Sequence, residues 1–259
     1  MEWFIKNFQV LLLIFARISG IFWVAPFFSS LMIPSNLRVI FSVLLTIIIY
    51  PALNNFNPVI PNNMIEYGLL VIMQILIGLI LGFIATIIFT AFQLAGEFFS
   101  FQMGFGITEV FDPLAQIEIP IIGQFQYLIS ILVFLSIRGH HMLISALFNS
   151  FEVIPLLDFT NIAKIQILSM TFSKLFSQMF LIALKVAFPI FATMFLVSFI
   201  LGLLAKASPQ LNVFMVGFPI QIAIGLVAYL IVMPLFIEAI RNVIDFTFEE
   251  LNKFIFVLR

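Results

Sequence analysis

Apolar residues run along this chain in long blocks, and polar positions between them are few. The first block is Phe8–Ile33, interrupted by Arg17 and ended near Pro26 or Pro34. Val39–Leu53 follows, bounded by Pro51. Asn54–Asn63 reads N-N-F-N-P-V-I-P-N-N, a loop rich in turn formers. Tyr67–Gly96 is thirty residues without a charge. Ile119–Ile137 and the short run Met142–Phe151 come next. Asp158–Lys174 is more polar and carries two Lys, whereas Leu175–Ala205 holds one internal charge, Lys185. Ala207–Ile237 is charge-free, and Glu238–Arg259 reads as an amphipathic tail. The pattern predicts an all-α chain of six or seven helical segments.

Three of these segments are too long for a simple span. A bilayer core needs about 20 helical residues, so a thirty-residue helix, about 45 Å long, exceeds a core of about 30 Å. Such a helix tilts, kinks or leaves the membrane while staying buried in protein. Pro189 and Pro219 lie inside the other two long runs and are expected to kink them. The pattern fits helices packed into a larger assembly at least as well as ordinary transporter spans.

Composition places the chain in the membrane class. Hydrophobic residues make up 63% and charged residues 9%, with a mean hydropathy of +1.25. A soluble domain would carry about 25% charge. The net charge of −1 offers no basic surface for nucleic acid. Cysteine is absent, which excludes disulfide and thiolate chemistry. The N-terminal apolar run continues past Arg17 without a convincing cleavage site and reads as a retained helix. Glu97, Glu109, Asp112 and Glu118 fall in one segment with no Lys or Arg, which is expected away from the cytoplasm or inside the protein.

Small residues mark candidate helix contacts. Gly78 and Gly82 form G-x-x-x-G, with Ala85 near the same face. Gly217, Gln221, Gly225 and Ala228 make one helical stripe, and Ser198, Gly202 and Ala205 a shorter one. Such stripes let backbones approach closely, within the chain or against other subunits.

Candidate chemistry is sparse. His140 and His141 are adjacent and so point about 100° apart on a helix, a poor fit for one ion, and an interfacial structural role is expected. Arg17 and Lys185 sit within apolar runs, where a charge is costly. They fit a substrate path, or else a snorkelling side chain or a buried pair inside an oligomer. No carboxylate lies at matching depth in an obvious partner run, which favours the structural alternatives. The segment Gly104–Ile122, G-F-G-I-T-E-V-F-D-P-L-A-Q-I-E-I-P-I-I, stands apart. Gly104 and Gly106 make its start flexible or tightly turned. Asp112-Pro113 and Pro120 resist a continuous helix. Phe105, Ile107, Val110, Phe111 and Leu114 make it too apolar for a solvated loop. An apolar, non-helical segment between spans lines a cavity or is buried. It reads as a re-entrant gate or as a packed connector.

Taken together these residues resemble the FliR family of the flagellar type III export gate, the T-type component of injectisomes. The resemblance covers nearly the whole chain. It is carried by Phe15, Arg17, Gly20, Ala25, Pro26, Ile33, Pro34 and Arg38 near the N-terminus. In the middle it rests on Gly96-Glu97, Gln102-Met103-Gly104, Asp112-Pro113, Gly139-His140 and Ser150 to Pro155. Near the C-terminus G-L-L-A-K-A-S-P-Q-L-N-V-F-M-V-G-F-P, from Gly202 to Pro219, is similar to the family signature. Arg138 stands where a neutral or polar residue is expected.

The resemblance implies a fusion of two partner folds, a P-like part at 1–174 and a Q-like kinked helical hairpin with an amphipathic tail at 175–259. The hairpin would span roughly Leu175–Ile237 and turn at Lys206–Leu211. One such chain would join about five FliP-like and four FliQ-like subunits in a closed ring, much of it above the inner membrane. The overlong runs would then face other subunits. The turn, with Lys206, Ser208, Pro209, Gln210 and Asn212, would face the cytoplasm near an FlhB-like switch protein. The channel plug would fall at Gly104–Ile122, with Met103, Gly104, Phe105, Gly106, Ile107, Val110, Phe111, Asp112 and Pro113 as plug or gate residues. The expected function is a non-enzymatic, cofactor-free subunit of the gate that passes unfolded flagellar proteins across the bacterial inner membrane. The alternative is a polytopic secondary transporter with Lys185 or Arg17 in a substrate path. A membrane-embedded enzyme using His140 or His141 is a third option.

Overall fold

The computed structural model of the chain describes residues 2–29, 33–53, 61, 63–105, 120–154, 162–208, 210 and 213–257. Every regular element among them is a helix. They are α1 (Glu2–Val24), α2 (Ser35–Ala52), α3 (Met64–Gln102), α4 (Ile121–Ser136), α5 (Gly139–Val153), α6 (Ile162–Ala207) and α7 (Val213–Val257). Five of them are long and apolar enough to cross a membrane, or six if α4 and α5 count as one broken span. The chain is a polytopic helical membrane protein.

The longest helices extend well past the apolar blocks. At 1.5 Å per residue, α3 with 39 residues is about 58 Å long, α6 with 46 about 69 Å, and α7 with 45 about 68 Å. Each is about twice a bilayer core. The polar stretch before Leu175 is the beginning of α6, and the tail after Ile237 is the end of α7. Charged residues change the face a helix presents but do not break its backbone. Lys174 Nζ sits 2.7 Å from Glu250 Oε2, and Lys253 bonds the other oxygen of Glu250. Pro189, Pro219 and Pro234 all lie inside helices that continue through them.

The chain forms two compact units. One comprises 1–88, 138–175 and 244–259, and the other 89–137 and 176–243.

In the first unit α1 crosses α3 where neither carries a side chain. A Cβ on Gly78 would lie within bonding range of the Arg17 carbonyl oxygen and 3.0 Å from Gly20 Cα. A Cβ on Gly20 would meet the Ile75 oxygen at 2.5 Å. Gly82 lies one turn on, against Ile21 and Ala25. There Thr86 Oγ1 donates to the Val24 carbonyl at 2.7 Å. Helix α2 is inverted. Its buried residues are Ser42, Thr46 and Ile49, while Leu37, Val39, Ile40, Phe41, Val43, Leu44, Ile47 and Ile48 are exposed. The inward hydroxyls are satisfied within the helix, Ser42 by the Arg38 carbonyl and Thr46 by the Ser42 carbonyl. Small satisfied groups inside and large apolar groups outside suit an apolar exterior, not water.

In the second unit α3 and α4 meet at another pair of glycines. A Cβ on Gly96 would lie 2.6 Å from Gly123 Cα. Phe99 stacks on Phe236 of α7 at 5.3 Å and meets Tyr229 edge-on at 5.9 Å. Tyr229 donates its hydroxyl to Gln126 Oε1 of α4 at 2.5 Å. One aromatic cluster thus ties α3, α4 and α7 together.

Candidate functional site: the end of helix α3 and its seat on α7

Helix α3 ends in a defined motif. The Phe105 N–H donates to the Ser100 carbonyl at 3.0 Å, and the Gly104 N–H to the Phe101 carbonyl at 3.1 Å. Gly104 has φ +86, a conformation that costs an L side chain but not glycine. This is the Schellman arrangement, which satisfies the helix's last carbonyls and stops it sharply. Gly104 is therefore a helix terminator.

The turn is seated on α7. Met103 is fully enclosed, with 0% of its surface exposed. A Cβ on Gly225 would lie 2.5 Å from Met103 Cγ and 3.0 Å from its Sδ, so the missing side chain of Gly225 is the space Met103 occupies. A Cβ on Gly104 would lie 3.2 Å from the Phe218 ring and 3.6 Å from Gln221 Oε1. Gln221 Nε2 in turn donates to Ser198 Oγ of α6 at 3.3 Å. Gln221 and Gly225 of the small-residue stripe are thus brought against Gly104 and Met103, two sets of residues picked out in the sequence for separate reasons. Gly217 is buried, and Gly202, of the shorter stripe, has nothing within 4 Å of its would-be Cβ.

The remaining candidates scatter. Gly106, Ile107, Val110, Phe111, Asp112 and Pro113 lie outside the described residues, as do Glu109 and Glu118. At the α6–α7 turn Lys206 and Gln210 are exposed and Ser208 is half-buried, its N–H donating to the Leu204 carbonyl at 2.9 Å. Pro209 and Asn212 lie outside the described residues. Lys185 is exposed on α6. His140 and His141 have ring centroids 4.4 Å apart, and no group of three potential metal ligands occurs among the described residues.

Arg17 corrects a sequence expectation. It does not snorkel, and it pairs with no carboxylate among the described residues. It is 0% exposed inside its own chain. Nε donates to Gln74 Oε1 at 2.7 Å, Nη1 to the Ser150 carbonyl at 2.7 Å, and Nη2 to the Ile154 carbonyl at 3.1 Å. The guanidinium also stands 4.4 Å from the Phe151 ring centre. Ser150 and Ile154 close the C-terminal end of α5, where exposed carbonyls carry partial negative charge. The counter-charge is thus a helix end and a ring face, which no search for an acidic partner could find.

Sequence comparison decides the family. The profile described as "Bacterial export proteins, family 1" matches residues 8–247. The chain belongs to the FliR family. It is 36% identical over 252 residues to the flagellar biosynthetic protein FliR of Bacillus subtilis, covering 96% of this chain and 95% of that protein. It is 30% identical over 245 residues to FliR of Aquifex aeolicus, covering 95% and 93%. With FliR of Escherichia coli it shares 31% over 236 residues, covering 91% and 87%. The chain is thus a FliR-family component of the flagellar export apparatus. The Gly104 terminator and its Gly225 seat are features of a FliR-family chain.

Proposed function

We propose that this chain is a non-enzymatic subunit of the flagellar type III protein export gate, in the bacterial inner membrane at the flagellar basal body. It forms part of the channel that passes unfolded flagellar proteins. Its partners are FliP-like and FliQ-like subunits and an FlhB-like switch protein. The observation that carries this reading is the family match along nearly the whole chain. The helices support it: three are about twice as long as a bilayer core is thick, yet large apolar residues remain exposed along α6 and α7. Surface of that kind, extending beyond the membrane's reach, is suited to contact with other subunits. All relatives named above are flagellar proteins, which favours the flagellum over an injectisome. The P-like and Q-like division and the plug role of Gly104–Ile122 are part of the same reading and rest on the resemblance.

Deleting the gene and measuring secreted flagellar proteins tests it. Export should vanish and return with a plasmid copy. Normal secretion without the chain would contradict the assignment.

A further inference from the structure

A single methyl at Gly225 would collide with the Met103 side chain. The three nearest atoms to the would-be Cβ of Gly225 all belong to Met103: Cγ, Sδ and Cε at 2.5, 3.0 and 3.1 Å. Met103 cannot swing into solvent to relieve such a clash, because it is fully enclosed. The backbone on either side is also fixed. Met103 N–H bonds the Phe99 carbonyl at 2.9 Å, and the next two N–H groups close the helix end. Phe99 itself is clamped by Phe236 and Tyr229.

We infer that Met103 in the Gly225 notch is an anchor that holds the end of α3 on α7 throughout export, so that the glycine turn does not act as a hinge. Met103 is a positioning residue in this account. The inference rests on the export-gate reading. It assigns to Gly104 a role opposite to that of a hinge: the positive φ belongs to a hydrogen-bonded helix stop, and its neighbour Met103 is seated.

The geometry permits a direct test. Met103 Cβ is one C–C bond of about 1.5 Å from Cγ and lies no nearer than the 3.1 Å of Cε, so the two Cβ positions are at most about 4.0 Å apart, a span that overlaps the disulfide range of about 3.5–4.5 Å. The chain has no native cysteine. Met103→Cys and Gly225→Cys are combined and the full complex is oxidised in membranes. The anchor predicts an intrachain disulfide in most molecules, and export within about twofold of the reduced state. A failure to crosslink would remove the seat. A crosslink that stops export, reversed by reductant, would show that the turn moves and overturn the anchor. A second pair guards against a variant that does not fold. Gly225→Val should cost most of the assembled complex, and Met103→Ala in the same chain should restore at least half of it. No restoration would mean that Met103 is not what fills the notch. Loss of the export-gate reading has a different signature, namely export that persists when the whole chain is deleted.

Discussion

The Arg17 guanidinium donates to the Ser150 carbonyl at 2.7 Å across 133 residues of chain. Together with the bonds to Gln74 and Ile154 it joins α1, α3 and α5 through one side chain. A charge in an apolar interior is tolerated because its donors are satisfied and a helix end opposes it. Replacing Arg17 by Met keeps the bulk but strips the Ile154 carbonyl of its donor and Ser150 of one. With buried unsatisfied groups costing about 1–3 kcal/mol each, the expected loss is on the order of 2–5 kcal/mol. It should appear as a lower unfolding midpoint of the purified complex. Arg17→Lys should recover only part, since one ammonium lacks the planar fork that reaches three acceptors. A Met variant as stable as the parent would assign the junction to packing alone.

Arg138 carries the opposite signature. It follows α4 at φ 60 and ψ 33, a left-handed conformation that glycine takes without strain. Arg138→Gly should therefore raise stability by about 0.5–1 kcal/mol, read as an upward shift in the same midpoint. A downward shift would mean that the guanidinium makes a contact in the assembly worth more than the strain.

Two glycines should respond differently to one methyl. In Gly78→Ala the new Cβ meets the Arg17 carbonyl and Gly20 Cα, both backbone, so α1 and α3 must separate. The cost is about 1–3 kcal/mol. Gly202→Ala meets nothing within 4 Å and gains helix propensity of about 1 kcal/mol. Chain abundance in membranes should fall for the first and hold for the second. Equal losses would show that contacts within the chain do not decide which glycines matter.

Helix content was legible because apolar blocks of this length have few other uses. Ends were less so. Lys164 and Lys174 looked like a break before the hairpin, yet α6 starts at Ile162 and passes through both. Gly104 was equally compatible with a hinge and a stop, and only the Ser100 and Phe101 carbonyls distinguish them. The small-residue stripe at Gly217–Gly225 could be read from helical spacing alone. Its occupant, Met103, could not, since a notch and its filler lie more than a hundred residues apart with no pairing rule. Arg17 drew notice as a charge in an apolar run, but its partners are backbone carbonyls, which leave no trace in a sequence. The candidates between Gly106 and Pro113 lie outside the described residues, so their reading still rests on the resemblance.

The α6–α7 turn is placed on the cytoplasmic side by the proposed reading. Lys206 is exposed in the last turn of α6, where a cation favours the helix's negative end. Ser208→Cys should react with an impermeant maleimide in inverted vesicles and crosslink to the FlhB-like partner in the assembled machine. Labelling only from the periplasmic face would reverse the hairpin.

The central claim is that this chain works as one subunit of a mixed export gate. Its most direct test is to tag the chain, co-express it with its FliP-like and FliQ-like neighbours, and image what purifies. The account predicts a single particle containing one copy of this chain among several P-type and Q-type subunits, with the exposed faces of α6 and α7 covered by them. Purification of a stable, monodisperse monomer with those faces in detergent, free of either partner, would contradict it.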